Sequence, residues 1–261
     1  MAKNSQKNID LRRNMILQML EKGEETVATL AEKLQVSSMT VRRDIEDMVS
    51  MQMLQWGGGG VIKLPESLFV DPGYTKRQLS NRRKKIAIAR EAIKLVNDGM
   101  MIGIDASTTT LELASLLLKV NDIIVVTNSL LVPQALASHP TATVEVAGGC
   151  LRSTAFSTVG ARACKLISRY SYDVVFLSVN AVDPTYGLTD TSAEEIDTKY
   201  SFLENAKQRI LLADSGKFGV RSLCRCCGLD EIDVVITDEE ISQQQYDSLV
   251  AQKVNVIVAK I

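Results

Sequence analysis

The stretch TVATLAEKLQVSSMTVRRDIEDM, residues 26–48, decides the fold of the first part of this chain. Apolar residues recur at helical spacing on both sides of a short turn at 35–37. A preceding helix is predicted over 11–22, and a hairpin that ends in four consecutive glycines, 57–60, follows. Three helices and a glycine-rich wing in this order predict a winged helix-turn-helix over residues 1–60, a fold that places its last helix in the major groove of DNA.

The third predicted helix, residues 38–48, carries the side chains expected to meet DNA. With Val41 and Ile45 turned inward, its arginines and hydroxyl residues face outward, and arginine matches a guanine edge or a phosphate. Thr26 is expected to cap the second helix, and Ser37 or Ser38 the third. The predicted DNA-binding residues are Ser37, Ser38, Met39, Thr40, Arg42 and Arg43. The alternative is a protein–protein module whose two arginines are solvated.

The charge of this region does not by itself indicate nucleic acid. Residues 1–60 contain eight Lys or Arg and eight Asp or Glu residues, so their net charge is near zero. DNA binding is therefore expected to depend on locally placed arginines and on more than one copy of the chain per operator. Those arginines are Arg12, Arg13, Arg42 and Arg43.

The rest of the chain is long enough for one larger domain. We expect a linker over 61–80, where Pro65 and Pro72-Gly73 interrupt regular structure, and an α/β domain over 81–261. Six basic residues between Lys76 and Lys85 could contact phosphates or a neighbouring subunit, or simply be solvated. The sequence has neither an apolar N-terminal segment nor a run of about 18 apolar residues, so a cytoplasmic protein is expected.

Cysteine and histidine give little indication of chemistry. The five cysteines are odd in number and match no disulfide framework, although Cys224, Cys226 and Cys227 form a cluster. A metal site would need a second cluster or histidines, and the single histidine, His139, lies in a separate turn. We therefore expect no metal and no cofactor, and His139 is expected to be a loop residue.

From residue 84 onward, apolar strands alternate with helical segments. Strands are predicted at 100–105, 122–127, 143–147, 173–179, 208–213, 233–237 and 254–258, and helices at 84–96, 109–118, 130–137, 161–168, 194–206 and 242–251. Near-continuous apolar strands between helices indicate an α/β fold with a mainly parallel sheet covered on both faces. Ligands are expected at the carboxyl ends of such strands.

Polar residues follow five of the predicted strands. The run DASTTT, which begins at Asp105, also opens a helix, so its N–H groups and hydroxyls could bind phosphate; the alternative is a simple N-cap. Lys217 can bind phosphate as a point charge, and Asp183 can take sugar hydroxyls. Asn128 and the Gly148-Gly149 pair follow other strands. We expect all of these positions to line one ligand site.

The motifs of the chain resemble those of the DeoR-type family of bacterial transcriptional regulators. The resemblance rests on LAEKLQVSSMTVRRDIEDM, IDASTTTLELA, VVTNSL, AGGCLR, STVG, YGLT and LADSGKFG, in this order, from about Arg12 to the last strand. It implies a sensor domain whose fold is similar to ribose-phosphate isomerases and amino-sugar-phosphate deaminases. It also implies that this domain binds a phosphorylated sugar and controls operons for carbohydrate uptake and catabolism, usually by repression.

Carried over by position, the resemblance implies a set of effector-binding residues. They are Asp105, Ser107, Thr108 and Thr109 in a phosphate loop, Asn128, Gly148, Gly149 and Arg152 on a second wall, and Asp183, Glu195, Lys199 and Lys217 at the remaining polar positions. Two places depart from the family. Trp56 and Gly58 stand where its wing has an arginine and a histidine, and Ser178-Val179-Asn180 replaces a glycine-rich strand end.

Two other functions remain open from the sequence. A sugar-phosphate isomerase with an appended DNA-binding domain would use Asp183, Glu195 and Lys217 for proton transfer. A nucleotide-binding module is disfavoured because the sequence has no G-x-G-x-x-G or Walker motif. We expect a regulator with no catalytic residues. Its expected partners are double-stranded operator DNA, a phosphorylated sugar and further copies of itself, as a homodimer or homotetramer.

Overall fold

A computed structural model describes residues 9, 11–13, 15–17, 19–20, 23–50, 53–63 and 72–261 of the chain. Its contacts divide the chain into two compact units, Met1–Asn81 and Arg82–Ile261. The first unit has one hydrophobic core, and the second has two, one on each face of its central sheet.

The first unit is a helix-turn-helix with a small antiparallel sheet. Helix α1 comprises the described residues between 9 and 20, and it is followed by β1 (Glu25–Thr26), α2 (Val27–Leu34), α3 (Ser38–Ser50), β2 (Gln55–Trp56), β3 (Val61–Lys63) and α4 (Pro72–Leu79). The sheet has the order β1-β3-β2, and the glycines at 57–60 connect β2 to β3 as the predicted wing.

The chain turns between α2 and α3 as the sequence predicts. Thr26 caps α2 by accepting a hydrogen bond from the backbone N–H of Thr29, and Gln35 ends that helix in the left-handed conformation, with φ of 53°. The hydroxyl of Ser37 accepts from the N–H of Thr40 at 3.2 Å, so Ser37 rather than Ser38 caps α3. Helix α3 ends at Ser50, slightly beyond its predicted end.

Regular structure occupies part of the segment predicted as a linker, 61–80. Strand β3 pairs with both other strands of the wing, with Ile62 opposite Trp56. Helix α4 contributes Leu79 to the core of the unit. Pro72, expected to interrupt regular structure, is instead the first residue of α4, where the missing N–H of proline costs nothing. Residues 64–71, including Pro65, lie outside the described residues.

A parallel sheet of seven strands forms the centre of the second unit. In chain order the strands of this unit are β4 (Met101–Ile104), β5 (Ile124–Thr127), β6 (Thr143–Val146), β7 (Cys150–Arg152), β8 (Ser157–Val159), β9 (Val174–Leu177), β10 (Ala181–Asp183), β11 (Gly187–Asp190), β12 (Arg209–Leu212), β13 (Cys224–Cys227), β14 (Val234–Asp238) and β15 (Asn255–Ala259). The central sheet has the order β15-β14-β12-β9-β4-β5-β6, and every neighbouring pair in it is parallel. The predicted parallel sheet is confirmed.

Helices cover both faces of this sheet. They are α5 (Arg82–Ala92), α6 (Thr108–Leu116), α7 (Leu131–Leu136), α8 (Ala161–Ile167), α9 (Ala193–Leu203) and α10 (Gln243–Ala251). Helices α5 to α7 pack on one core and α8 to α10 on the other. Gly103 of β4 lets α9 approach the sheet closely, because a Cβ atom there would lie 2.9 Å from the ring of Phe202.

In the second unit, five short strands that the sequence does not predict lie outside the central sheet. Strands β7 and β8 form an antiparallel pair, and β10, β11 and β13 form a second antiparallel sheet. Because β7 follows β6 and β10 follows β9, both begin beyond the carboxyl ends of parallel strands. Helix α9 packs against β8 and β13, which brings its residues to the same edge.

Candidate functional site

The outer surface of α3 carries most of the residues that the sequence predicts to contact DNA. Ser37, Ser38, Met39, Arg42 and Arg43 are exposed, and Met39 keeps 76% of its surface accessible. Thr40 is half-buried, and its hydroxyl lies 2.8 Å from that of Ser37 in the helix cap. On the opposite side, Val41 and Ile45 are fully buried. The surface therefore presents two arginines and short polar groups on a helix fixed by its apolar face.

Arg12 and Arg13, predicted as further DNA contacts, are instead bound within the first unit. Arg12 donates to the buried carboxylate of Asp44 at 2.5 Å, and Arg13 donates to the same carboxylate and to Asp47. A buried carboxylate needs such partners because its desolvation is unfavourable when it is unpaired. These two arginines therefore attach α1 to α3, which leaves Arg42 and Arg43 as the exposed pair.

At the carboxyl edge of the parallel sheet, Asp105 and Lys199 form a buried ion pair. Asp105 follows β4, and Lys199 lies on α9. The Lys199 ammonium donates to Asp105 Oδ2 at 2.5 Å, and the backbone N–H of Ser178 donates to the same oxygen at 3.0 Å. Asp190, at the end of β11, lies 3.9 Å from the same ammonium. Lys199 thus links three separate parts of the chain.

The charge of Lys199 is stabilised by its surroundings. Burial disfavours the charged ammonium, but the carboxylates of Asp105, Asp190 and Glu195 outweigh burial and raise the pKa of Lys199 above its ordinary value. Glu195 lies one helical turn before Lys199 on α9, so both side chains lie on one side of that helix. The carboxylate of Glu195 accepts a hydrogen bond from Ser157 and lies 3.7 Å from the guanidinium of Arg152.

Lys217 is the second ammonium at this edge. It lies in a 3-10 turn after β12 and donates to the hydroxyl of Ser178 at 2.8 Å, and that hydroxyl donates to the carbonyl of Leu212 at 2.6 Å. Burial lowers the pKa of Lys217 below its ordinary value of 10.5, and the charge of Lys199 adds to this effect. An anion placed beside Lys217 would offset that loss of solvation.

The run that begins at Asp105 forms both a helix cap and a group of free donors. The hydroxyls of Ser107 and Thr110 form a capping box at the start of α6. The N–H groups of Thr108 and Thr109 in the first turn remain without an intrahelical acceptor, as at any helix N-terminus. Those two groups, rather than the Ser107 hydroxyl, are therefore available for an anion.

The second wall of the predicted site is also at this edge. Asn128 is buried after β5, and its amide nitrogen donates to the carbonyl of Thr158 at 3.2 Å. Gly149 packs against β8 so closely that a Cβ atom would lie 2.4 Å from the carbonyl oxygen of Val159. Gly148 has open space at the equivalent position. Arg152, at the end of β7, reaches Glu195 from this side.

Asp183 accepts hydrogen bonds from Arg221 and from the turn that follows it in the chain. Its carboxylate accepts hydrogen bonds from Arg221 at 2.6 Å, from the Thr185 hydroxyl at 2.7 Å and from the Tyr186 backbone at 2.8 Å. The hydrogen bond from Arg221 contributes most to a pKa of Asp183 well below its usual range. Asp183 therefore holds the turn between β10 and β11 through these contacts.

Three residues that are not among the predicted effector-binding residues also contribute contacts at this edge of the sheet. Ser178 bridges Lys217 and Asp105, Asp190 supports Lys199, and Ser157 donates to Glu195. Ser157 lies in the STVG motif and Ser178 at a strand end, so both have a sequence signal. Asp190 has none, because its position depends on the pairing of β11 with β13.

Part of the basic run between Lys76 and Lys85 contacts carboxylates of the second unit. Arg82 pairs with Glu112 at 3.0 Å, and Lys84 pairs with Glu240 at 2.9 Å. Lys85 is buried. The alternative of a fully solvated run therefore does not hold for these three residues, whereas Lys76 and Arg77 are exposed.

The ring of His139 contacts backbone groups of the surrounding loops, and the cysteines form no disulfide bonds. The Nε2 of His139 lies 2.7 Å from the carbonyl of Val120, and its Nδ1 accepts from the N–H groups of Thr141 and Ala142. It is thus the loop residue that the sequence predicts. All five cysteines are free thiols. Across the described ranges, no group of three or more histidine, cysteine or acidic residues could hold a metal ion.

The sequence of both units matches known families. Residues 80–239 match the DeoR C-terminal sensor domain, and residues 12–53 match a helix-turn-helix (HTH) domain. The chain belongs to the DeoR family and is a transcriptional regulator with an N-terminal helix-turn-helix and a C-terminal sensor domain.

The similarity to known proteins extends over nearly the whole chain. It is 30% identical over 247 residues to the HTH-type transcriptional regulator GlpR of Haloferax volcanii, a match that covers 94% of this chain and 96% of that protein. It is 30% identical over 249 residues to a putative aga operon transcriptional repressor of Escherichia coli O157:H7, with 95% and 93% covered. It is 28% identical over 228 residues to the glycerol-3-phosphate regulon repressor of Escherichia coli K12, with 87% and 90% covered.

Solved structures match part of the chain. A ribose 5-phosphate isomerase A from Methanocaldococcus jannaschii matches 53% of this chain and 55% of its own, with a TM-score of 0.39 and 20% identity. A likeness of this size carries no conclusion about activity. In the part of the chain that the structure describes, no helix has the length and apolar character needed to cross a membrane.

Proposed function

We propose that this chain represses an operon for carbohydrate uptake or catabolism and releases its operator when a phosphorylated sugar binds the second unit. Membership of the DeoR family supports regulation of transcription. Two relatives named above are called repressors, and one of these names contains a phosphorylated small molecule, glycerol 3-phosphate.

The observation that carries the effector assignment is the cluster at the carboxyl edge of the sheet. Lys217 and the first turn of α6 supply positive charge and free N–H donors, which suit a phosphate. Beside them, the buried Asp105–Lys199 pair and Asn128 supply polar groups that suit the hydroxyls of a sugar. A ligand with one anionic end and one hydroxyl-bearing end matches both parts.

We assign DNA binding to residues 1–60 and effector sensing to residues 81–261. The bases and phosphates of the operator would be contacted by the six predicted residues of 37–43, with Arg42 and Arg43 as the charged pair. We expect a homodimer or homotetramer in the cytoplasm, because helix-turn-helix proteins bind paired half-sites.

Effector and operator are linked through the free energy of the whole chain. If the sugar-phosphate-bound form has a lower affinity for DNA, binding of the effector releases the operator, and a difference of about 1–3 kcal/mol gives a useful response. The proposal contains no catalytic step. Turnover of ribose 5-phosphate or glucosamine 6-phosphate by the purified chain would contradict that part of it.

A thermal-shift screen tests the effector assignment. The full chain is melted with ribose 5-phosphate, glucosamine 6-phosphate, glycerol 3-phosphate and further sugar phosphates, each beside its unphosphorylated form. A ligand that binds only the folded state raises the melting temperature with its occupancy. A rise with one phosphorylated compound and none with its free counterpart supports the proposal. An unchanged melting temperature with every compound, at millimolar concentration, contradicts it.

A further inference from the structure

Three buried oxygen atoms at the carboxyl edge have no hydrogen-bond partner within the described part of the chain. They are Asp105 Oδ1, Thr109 Oγ1 and Asn128 Oδ1. A buried oxygen without a partner is unfavourable, and folded proteins contain few of them. A fourth such atom, Thr237 Oγ1, lies at another place in the sheet.

The first three atoms belong to neighbouring residues. Strands β4 and β5 pair with Ile104 opposite Thr127, so the residues that follow, Asp105 and Asn128, lie side by side where the strands end. Thr109 lies in the first turn of α6, four residues after Asp105. Thr237 is on β14, which two other strands separate from β4.

The existing contacts determine which atom of each side chain remains unpaired. Asp105 uses Oδ2 for both Lys199 and the Ser178 N–H, which leaves Oδ1. The nitrogen of the Asn128 amide must face the Thr158 carbonyl, because that carbonyl only accepts, so Oδ1 is the unpaired atom. Two of the three oxygens are therefore acceptors only, and each requires a donor.

We propose that these three oxygens form a hydroxyl subsite, which accepts hydrogen bonds from free hydroxyls on the carbon chain of the effector. This rests on the proposed function, in which Lys217 and the first turn of α6 bind the phosphate. Ser107, Thr108 and Lys217 keep part of their surface exposed at this edge, which gives the ligand an approach.

The chemistry of the subsite limits the class of effector. A carbonyl or a methylene group cannot donate a hydrogen bond to Asp105 Oδ1 or Asn128 Oδ1, so keto and deoxy analogues would leave these acceptors unpaired. The subsite therefore selects a phosphorylated sugar or polyol with free hydroxyls over its keto and deoxy counterparts.

Matched pairs of phosphates test this selection on the wild-type full chain. The pairs are glycerol 3-phosphate with dihydroxyacetone phosphate, ribose 5-phosphate with 2-deoxyribose 5-phosphate, and glucose 6-phosphate with 2-deoxyglucose 6-phosphate. For at least one pair, calorimetry should give an affinity about tenfold or more higher for the hydroxyl-bearing member. Equal affinities within every pair, or a preference for the keto or deoxy members, overturn the hydroxyl subsite while the proposed function stands. Absence of binding by every phosphate overturns both.

Two identical substitutions at different places test the residues. Thr109→Val and Thr237→Val each replace an unpartnered buried hydroxyl by a methyl group, so both variants should fold and melt at or above the wild-type temperature. Thr109→Val should lower the affinity for the preferred hydroxyl-bearing phosphate of the panel about tenfold without changing competition by inorganic phosphate. Thr237→Val should bind like the wild type. Wild-type affinity in Thr109→Val, or an equal loss in both variants, overturns the assignment.

Discussion

Lys199 connects three elements through one buried ammonium, and this makes it the residue on which the edge most depends. Replacing it by methionine leaves the carboxylate of Asp105 buried and unpaired, which should lower the free energy of unfolding by about 3–5 kcal/mol. Lys207 provides the control, since it pairs with Asp173 while 72% of its side chain is exposed. Lys207→Met should cost about 0–1 kcal/mol. Urea denaturation of the full chain measures the free energy of unfolding of both variants. Similar losses in the two variants would contradict the stabilising role of the buried Asp105–Lys199 pair.

Because of Lys217, the affinity for the effector should depend on pH in the alkaline range. Because burial lowers its pKa below 10.5, the ammonium loses its proton, and with it the attraction for phosphate, at a lower pH than an exposed lysine would. As the pH is raised, affinity for a sugar phosphate should increase through about pH 6, where phosphate takes its second charge. It should decrease again at higher pH, before pH 10.5 is reached. Arginine keeps its charge throughout this range, so Lys217→Arg should remove the alkaline fall. The same fall in both proteins would exclude Lys217 from the phosphate site.

The sequence predicted many residues of the site because their positions follow from where strands end. Asp105, Asn128 and Lys217 each follow an apolar strand, and parallel strands bring their carboxyl ends together. Asp183 also follows a strand, but the chain turns back at once into β11, and its carboxylate is used within that turn. Such local use depends on pairing that a single strand pattern does not contain.

At the scale of elements, α3 should account for most of the specific affinity for DNA. A bidentate arginine contact to a base contributes about 1–3 kcal/mol, and a dimer would make it twice, so Arg43→Ala should weaken operator binding about 30-fold or more. Arg90→Ala serves as the control, because it removes an exposed arginine from α5 and so has the same net charge as Arg43→Ala. Anisotropy titrations with operator DNA at one fixed salt concentration measure both. Equal affinities of the two variants would show that α3 is not the recognition helix.

The elements that the sequence predicted well are those with a strong local period. The helices and parallel strands of the second unit were predicted within a few residues, because apolar side chains repeat at 3.6 residues or run continuously through a buried strand. The five missed strands have three or four residues each and pair antiparallel outside the central sheet. Short strands like β8, Ser157–Val159, are stabilised by their neighbours rather than by their own pattern.

At the scale of the whole molecule, the net charge of the chain differs from the local charge of the surface proposed to bind DNA. The chain has a formal net charge of −1, so it has no general attraction to DNA. Arg12 and Arg13 further lower the number of free cations in the first unit, because Asp44 and Asp47 use them. In the homodimer or homotetramer that we propose, affinity for the operator would come from a few well-placed contacts repeated by symmetry, and a monomer would bind weakly.

Effector and operator should weaken each other's binding to the chain by the same factor. Because linkage is reciprocal, a sugar phosphate that weakens operator binding by a given factor must itself bind more weakly, by the same factor, to the protein–operator complex. We expect a factor of about 5–150, measured by DNA titrations with and without the sugar phosphate and by sugar-phosphate titrations with and without DNA. Lys217→Ala should bind DNA normally and bring both factors to one, whereas Lys207→Ala should keep them. Operator release by the sugar phosphate in Lys217→Ala as in the wild type would place the effector elsewhere on the chain.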